Sequence, residues 1–157
     1  MKIAIEKYSK DKHDTAEVKT LLALAVGRAT LDKMAYLMDK FYTSTGRTMF
    51  IYSRNNRITG IIGVEYTRSS HGFITHLAVH PELRKRGIAE RLIKHVAETL
   101  ELNEMEAETD QDAVGFYDAC GFTTREIDGQ YKGIRRYRCV KITKPEIESN
   151  MRKRTQK

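Results

Sequence analysis

The residues best placed to do chemistry are consecutive: Arg84, Lys85, Arg86, Gly87, Ile88 and Ala89. An alternating apolar stretch, Phe73 to Val79, runs into them, and the alternation predicts a strand. Apolar residues at Ile88, Leu92, Val96 and Leu100 run out of them at helical spacing. The basic segment is therefore the mouth of a helix. There the first backbone N–H groups have no acceptor within the helix, and their dipoles add to a partial positive charge. Such a turn holds anions. Gly87 removes a Cβ where an anion approaches the backbone. The chemistry suggested is a pyrophosphate gripped mainly by amides, with three cationic side chains beside it. A plain strand–turn–helix connection reads the same way, and one short glycine motif does not separate the two.

The longer pattern does. Leu77 to Ala89, LAVHPELRKRGIA, resembles the acyl-CoA signature of the GNAT family of N-acetyltransferases. That family's Arg/Gln-x-x-Gly-x-Gly/Ala pattern is filled by Arg84, Gly87 and Ala89. A second family element is similar to Asp112 to Phe122, DAVGFYDACGF. The resemblance implies acetyl-CoA as acyl donor and N-acetylation of a primary amine by direct attack in a ternary complex. It also implies an α/β fold, with a mixed central sheet of about seven strands in the order β-α-α-β-β-β-α-β-α-β-β. In that fold the sheet splays after the strand that binds the cofactor.

Roles follow residue by residue. Backbone groups of Leu77, Ala78 and Val79 are expected to bond the pantetheine arm and acetyl group like an added strand. Backbone amides from Arg84, Lys85, Arg86, Gly87, Ile88 and Ala89 are expected to hold the pyrophosphate. Tyr117 occupies the position of the family's usual general acid; its other reading is a core aromatic, and Phe116 and Phe122 read as core. Where the family often carries an Asn on the pantetheine arm, this chain has Asp110, read equally as a cofactor contact and as a helix cap. The carboxylate that many members carry just before the signature is missing, so the motif assigns no base. The candidates are Glu65, at the end of a strand whose two glycines, Gly60 and Gly63, are expected to leave space for a ligand, and His76, on the face opposite Phe73 and Thr75. A histidine titrates near neutrality. An edge carboxylate and a core histidine are the alternative readings.

Composition bounds the rest. The 157 residues suit one domain, read as residues 1–144 with a basic tail over 145–157. Hydrophobic content of 40% with 31% charged residues describes a soluble globular protein. There is no apolar run of membrane-spanning length and no signal-peptide core, so a cytoplasmic location is expected. Cys120 and Cys139 have no metal spacing and fit a reducing compartment. The net charge of +7 fits a phosphate-rich cofactor plus the tail, or attraction to polyanions. No nucleic-acid signature accompanies it, so no nucleic acid or membrane partner is expected. A homodimer is permitted by the resemblance and specified by no stretch. A binding or sensing module for acyl-CoA, without turnover, is the alternative to an enzyme.

Along the chain, Ile3 and Ile5 read as a first strand. Asp14 with Glu17 reads as a capping pair for a helix carrying Val18, Leu21, Leu22 and Ala25. Thr30 caps a second helix, with Leu31, Met34, Leu37, Met38 and Phe41 on one side. That stripe reads as core or as the lip of an acceptor cleft. Met49–Ser53 and Ile58–Thr67 form a hairpin about Arg54 to Arg57. In its second strand Ile58, Gly60, Ile62, Val64 and Tyr66 share one face, and Thr59, Ile61, Gly63 and Glu65 the other. A strand over Met105–Glu108, a helix over Ala113–Ala119 and a closing hairpin about Asp128-Gly129 complete the order.

Overall fold

The computed structural model describes residues 2–67, 69–128 and 133–143. Gly129 of the closing turn and the basic tail after Thr143 lie outside the described residues. The strands are β1 (Ile3–Lys7), β2 (Arg47–Arg54), β3 (Arg57–Tyr66), β4 (His71–Val79), β5 (Glu104–Asp110), β6 (Thr123–Ile127) and β7 (Arg136–Ile142). The helices are α1 (Thr15–Leu24), α2 (Leu31–Tyr36), α3 (Ile88–Thr99) and α4 (Val114–Ala119). The sheet order is β1-β2-β3-β4-β5-β7-β6, mostly antiparallel, with β4 and β5 parallel. The element order is the one expected. Among the described residues no helix is long and apolar enough to cross a membrane.

Contacts divide the chain into two compact units. The first holds the chain up to Tyr66 together with Ile74–Val96. Its helices start where the sequence says. Asp14 accepts from the amides of Ala16 and Glu17, and Thr30 accepts from Lys33. Glu17 does not complete a capping box. Its carboxylate reaches across to the amide of Ile58 in β3 and ties α1 to the sheet. Asn55 and Asn56 both take left-handed backbone angles, which matches the turn to the twist of β2 and β3.

The expected two-face division of β3 fails at its start. Tyr52 pairs with Gly60 and Ser53 with Ile58, so Thr59 is an extra residue in the ladder. The bulge re-aims Ile58, which joins Ile61, Met49, Ile51, Ala78, Val18, Leu22, Met34 and Met38 in one buried cluster. Leu31 does not join the stripe assigned to it. It is 90% exposed, at the first position of α2, a helix in which only Met34 is buried. The chain then winds into a π-turn, Leu37–Phe41. The opposite face of the sheet receives α3. Gly60 makes room for it, since a Cβ there would stand 2.9 Å from Ile88 and 3.2 Å from Leu92. Arg91 bonds the Tyr52 hydroxyl and Phe50 meets the ring of His95.

The second unit holds Thr67–Phe73 and the chain from Ala97. Here β4 runs parallel to β5 over His71–Phe73, and β5 pairs with β7, which pairs with β6. Glu106 is buried and held by His71, at 3.0 Å, and by Arg138. Leu102, Met105, Ala107, Tyr117, Phe122 and Cys139 are buried. Gly121, at φ +88°, ends α4.

Candidate active site

In the first unit β4 leads through His80 and a 3-10 turn, Pro81–Leu83, to the basic segment. The His80 ring accepts from the amide of Glu82 and shapes that turn. Two residues then take positive φ: Lys85 at +63° and Gly87 at +82°. A non-glycine residue seldom does so, and backbone that alternates between hands gathers N–H groups into a concavity. No atom lies within 4 Å of a Cβ built on Gly87, so its need for glycine is one of backbone angle and open approach. The first bond of α3 runs from the Arg91 amide to the Gly87 carbonyl. Arg84, Lys85 and Arg86 are exposed, and the Arg84 guanidinium folds back to the Val79 carbonyl at 3.4 Å. Ile88 is buried as the anchor of the helix, and Ala89 is half-buried. Leu77 is half-buried, while Ala78 and Val79 are buried.

The base candidates sit in a different setting from the one their spacing suggests. Gly63 was expected to leave space beside Glu65. That space is filled: a Cβ on Gly63 would lie 1.8 Å from the hydroxyl oxygen of Tyr42. Tyr42 follows the π-turn, and its hydroxyl bonds both Thr75 Oγ1, at 2.7 Å, and His76 Nδ1. Adjacent strand residues ordinarily point to opposite faces. Thr75 and His76 nonetheless both reach the one Tyr42 oxygen, His76 lying two residues before Ala78, which shares the Tyr42 cluster. Phe41 presents an edge arrangement to both Tyr42 and His76. The Arg47 guanidinium lies 4.3 Å from the centre of the Phe41 ring. Glu65 is bonded to Arg47 at 2.9 Å, with its side chain 48% exposed. Burial lowers the pKa of His76 below the usual imidazole range, because an imidazolium there loses hydration. Burial raises the phenol of Tyr42, with Thr75 pulling the other way.

In the second unit Tyr117 is 7% exposed, with ring centroids 5.1 Å from Phe116 and 5.2 Å from Phe122. Burial raises its phenol pKa, and the thiols of Cys139 and Cys120 add to the shift. Phe122 is core as expected, but Phe116 is 36% exposed; in a one-and-a-half-turn helix it falls on the outer side. Asp110 has its carboxylate in the turn, where Oδ1 accepts from the amides of Asp112 and Ala113, both at 3.0 Å. It shapes the turn that precedes α4 but does not cap the helix itself, whose N-cap position is Ala113.

A family profile for the acetyltransferase (GNAT) domain matches residues 7–141. The chain belongs to the GNAT family. An uncharacterised N-acetyltransferase from the lysA 3′ region of Bacillus methanolicus is 28% identical over 74 residues, 47% of this chain. The match spans 62% of that relative's length. Among solved structures, this GNAT chain resembles an aminoglycoside 6′-N-acetyltransferase complexed with coenzyme A at a TM-score of 0.72 and 14% identity, covering 90% of this chain and 98% of that one. A Bacillus subtilis acetyltransferase in complex with CoA gives 0.65 at 19%, covering 90% and 99%. An Elizabethkingia anophelis GNAT acetyltransferase with acetyl-CoA bound gives 0.63 at 19%, covering 89% and 97%. At these identities the likeness is one of fold.

Of the GNAT residues named from sequence, the structure gathers Leu77 to Ala89 into one strand–turn–helix passage and seats His76 against Tyr42. Sequence reading missed Tyr42 itself. The signal that points to it is a glycine, Gly63, in the middle of an otherwise apolar strand, where a close approach from another element is the usual reason.

Proposed function

We propose that this GNAT chain transfers an acetyl group from acetyl-CoA to a primary amine by direct attack in a ternary complex. The observation that carries the reading is the passage from β4 into α3. Past Phe73, where the described register with β5 ends, β4 has peptide groups that an extended pantetheine arm can bond as a strand would. The left-handed pair Lys85 and Gly87 and the first amides of α3 then meet the pyrophosphate. The three basic side chains add charge attraction at an exposed rim. Complexes of similar folds with CoA or acetyl-CoA support the same donor.

Transfer further needs a base and an acid. His76 serves as the base in this reading: its lowered pKa keeps the imidazole neutral at neutral pH, ready to take the proton that the amine sheds. Glu65 is the weaker choice, since it is exposed and engaged by Arg47. Tyr117 serves as the acid, its raised pKa keeping the phenol protonated until a thiolate forms. Cys120 and Cys139 are buried thiols, which suits work in a reducing cytoplasm.

The test measures thiol release from acetyl-CoA against a panel holding an aminoglycoside, a free amino acid, an N-terminal alanine peptide and a lysine peptide. Amine-dependent release with an acetylated product supports the reading. A thermal shift with CoA but no release from any amine marks an acyl-CoA-binding module instead. No shift at all sinks the CoA assignment.

A further inference from the structure

The bond between Tyr42 and His76 constrains which ring nitrogen can act. A hydroxyl has one hydrogen to donate and can accept as well. Thr75 Oγ1, the Tyr42 hydroxyl and His76 Nδ1 form a chain of two bonds about the Tyr42 oxygen. The chain can run in two directions. In one, Thr75 donates to Tyr42 and Tyr42 donates to Nδ1; the imidazole hydrogen is then on Nε2, which has no lone pair to offer. In the other, Nδ1–H donates to Tyr42 and Tyr42 donates to Thr75; the lone pair is then on Nε2. An imidazolium donates from both nitrogens, so only the second direction survives protonation of the ring. We infer that Tyr42 is a positioning residue for the base: seated over Gly63 and donating to Thr75, it accepts from His76 Nδ1–H and holds the ring with Nε2 open to the amine. The inference rests on the reading of His76 as base.

Three observations fit this assignment. The hydroxyl is fixed in place by shape, because Gly63 has no Cβ and any larger residue collides with the Tyr42 oxygen and ring. Phe41, set edge-on to the imidazole, offers no polar atom to compete for it. The raised pKa of Tyr42 keeps the phenol neutral, so the hydroxyl orients the ring without taking its proton. In the step itself, the N–H bond of the amine breaks as Nε2–H forms. Nδ1 keeps its hydrogen throughout, and the positive charge resides on the imidazolium until solvent collects the proton. The ionisable groups placed about this cluster are Tyr42 itself, Tyr36 beside Phe41, Arg47 over Phe41, and Glu65 bonded to Arg47.

The experiment uses the full chain labelled with ¹⁵N at its histidines. The chain has five, so His76→Gln assigns the His76 signals. In the free wild-type protein near neutral pH, the nitrogen shifts should report hydrogen on Nδ1 and a bare Nε2. Tyr42→Phe should move the hydrogen toward Nε2. With a competent amine it should lower kcat by a factor below that of His76→Gln, within the roughly 10²–10⁴ a general base contributes, while KM for acetyl-CoA stays put. Thr75→Val, close in shape, should shift tautomer and kcat the same way by less, and it covers the case in which Tyr42→Phe folds poorly. Hydrogen on Nε2 in the wild type overturns the inference. So does a Tyr42→Phe protein with unchanged tautomer and rate, and so does full activity in His76→Gln. Failure of the wild type to release thiol with any amine strikes the acetyltransferase reading instead, since the tautomer is read without substrate.

Discussion

Two buried tyrosines, one in each unit, share a residue type and a direction of pKa shift, yet their surroundings differ in kind. Tyr42 stands among polar atoms, its hydroxyl bonded to Thr75 and His76. Tyr117 stands among rings and thiols, between Phe116 and Phe122 with Cys139 near enough to act on its charge. Burial raises both phenols because a phenolate loses hydration. What separates them is the partner. In the proposed reading the Tyr42 hydroxyl, committed to an imidazole, orients that imidazole, and the Tyr117 hydroxyl keeps its proton for a thiolate that arrives during reaction. Burial alone therefore assigns no role to a tyrosine.

The largest effect expected is on the second tyrosine. Tyr117→Phe keeps the ring contacts and removes the oxygen. Turnover should fall by about 10²–10⁴ with melting temperature and CoA affinity little changed, and an acyl donor with a more acidic thiol should restore part of the rate. Loss of stability together with rate would make Tyr117 a packing residue and erase the contrast. Next comes Gly87→Val, which acts in the first unit without touching either tyrosine. A β-branched residue at φ +82° is strained, so the stabilisation given by CoA, about 2.7 kcal/mol at 100 times its dissociation constant, should vanish from thermal scans of a folded protein. Retained CoA binding would refute the amide cradle.

Gly63→Ala addresses Tyr42 from the other side of the contact. It crowds the Tyr42 hydroxyl, and overpacking of this kind costs about 1–3 kcal/mol, measurable by denaturant unfolding. A neutral effect would mean that Tyr42 moves aside easily and is not held. The smallest effect is on acid stability. The folded pKa of His76 lies below its ordinary 6.5, so the unfolded chain binds the proton first. Native stability is complete above pH 6.5 and declines as pH falls from there toward the lower folded value. His76→Gln should flatten that part of the unfolding profile. A profile unaltered by the substitution would show the imidazole to be better hydrated than its contacts with Tyr42 and Phe41 imply.

Local signals carried much of the fold. Asp14 and Thr30 announce helix starts through side chains that reach amides two or three residues on. Asn55 and Asn56 announce a turn through backbone angles few residues accept. The turn at Arg84 to Ala89 reads from charge, glycine and flanking periodicities. What stayed hidden depends on partners distant in sequence. Glu17 leaves its expected cap for Ile58, 41 residues away. Tyr42 meets Thr75 and His76 after 33 and 34 residues. One departure from regular alternation, the extra residue at Thr59, changes the faces that a strict period of two assigns at the start of β3. Leu31 misled because an apolar residue at the right helical angle can still stand outside the core at the first position of a helix.

Gly60 has a further mechanical meaning. It lies in the sheet, remote in sequence from the basic turn, yet the missing Cβ is what lets Ile88 and Leu92 settle against β3. Ile88 is also the first residue of α3. The depth at which the helix rests on the sheet thus fixes the height of its opening turn, and Gly60 works as a spacer of zero thickness. An alanine there inserts a shim, which the side chains of Ile88 and Leu92 must yield to. If the proposed amide cradle stands at that opening turn, its tolerance is set in part by a residue on the sheet.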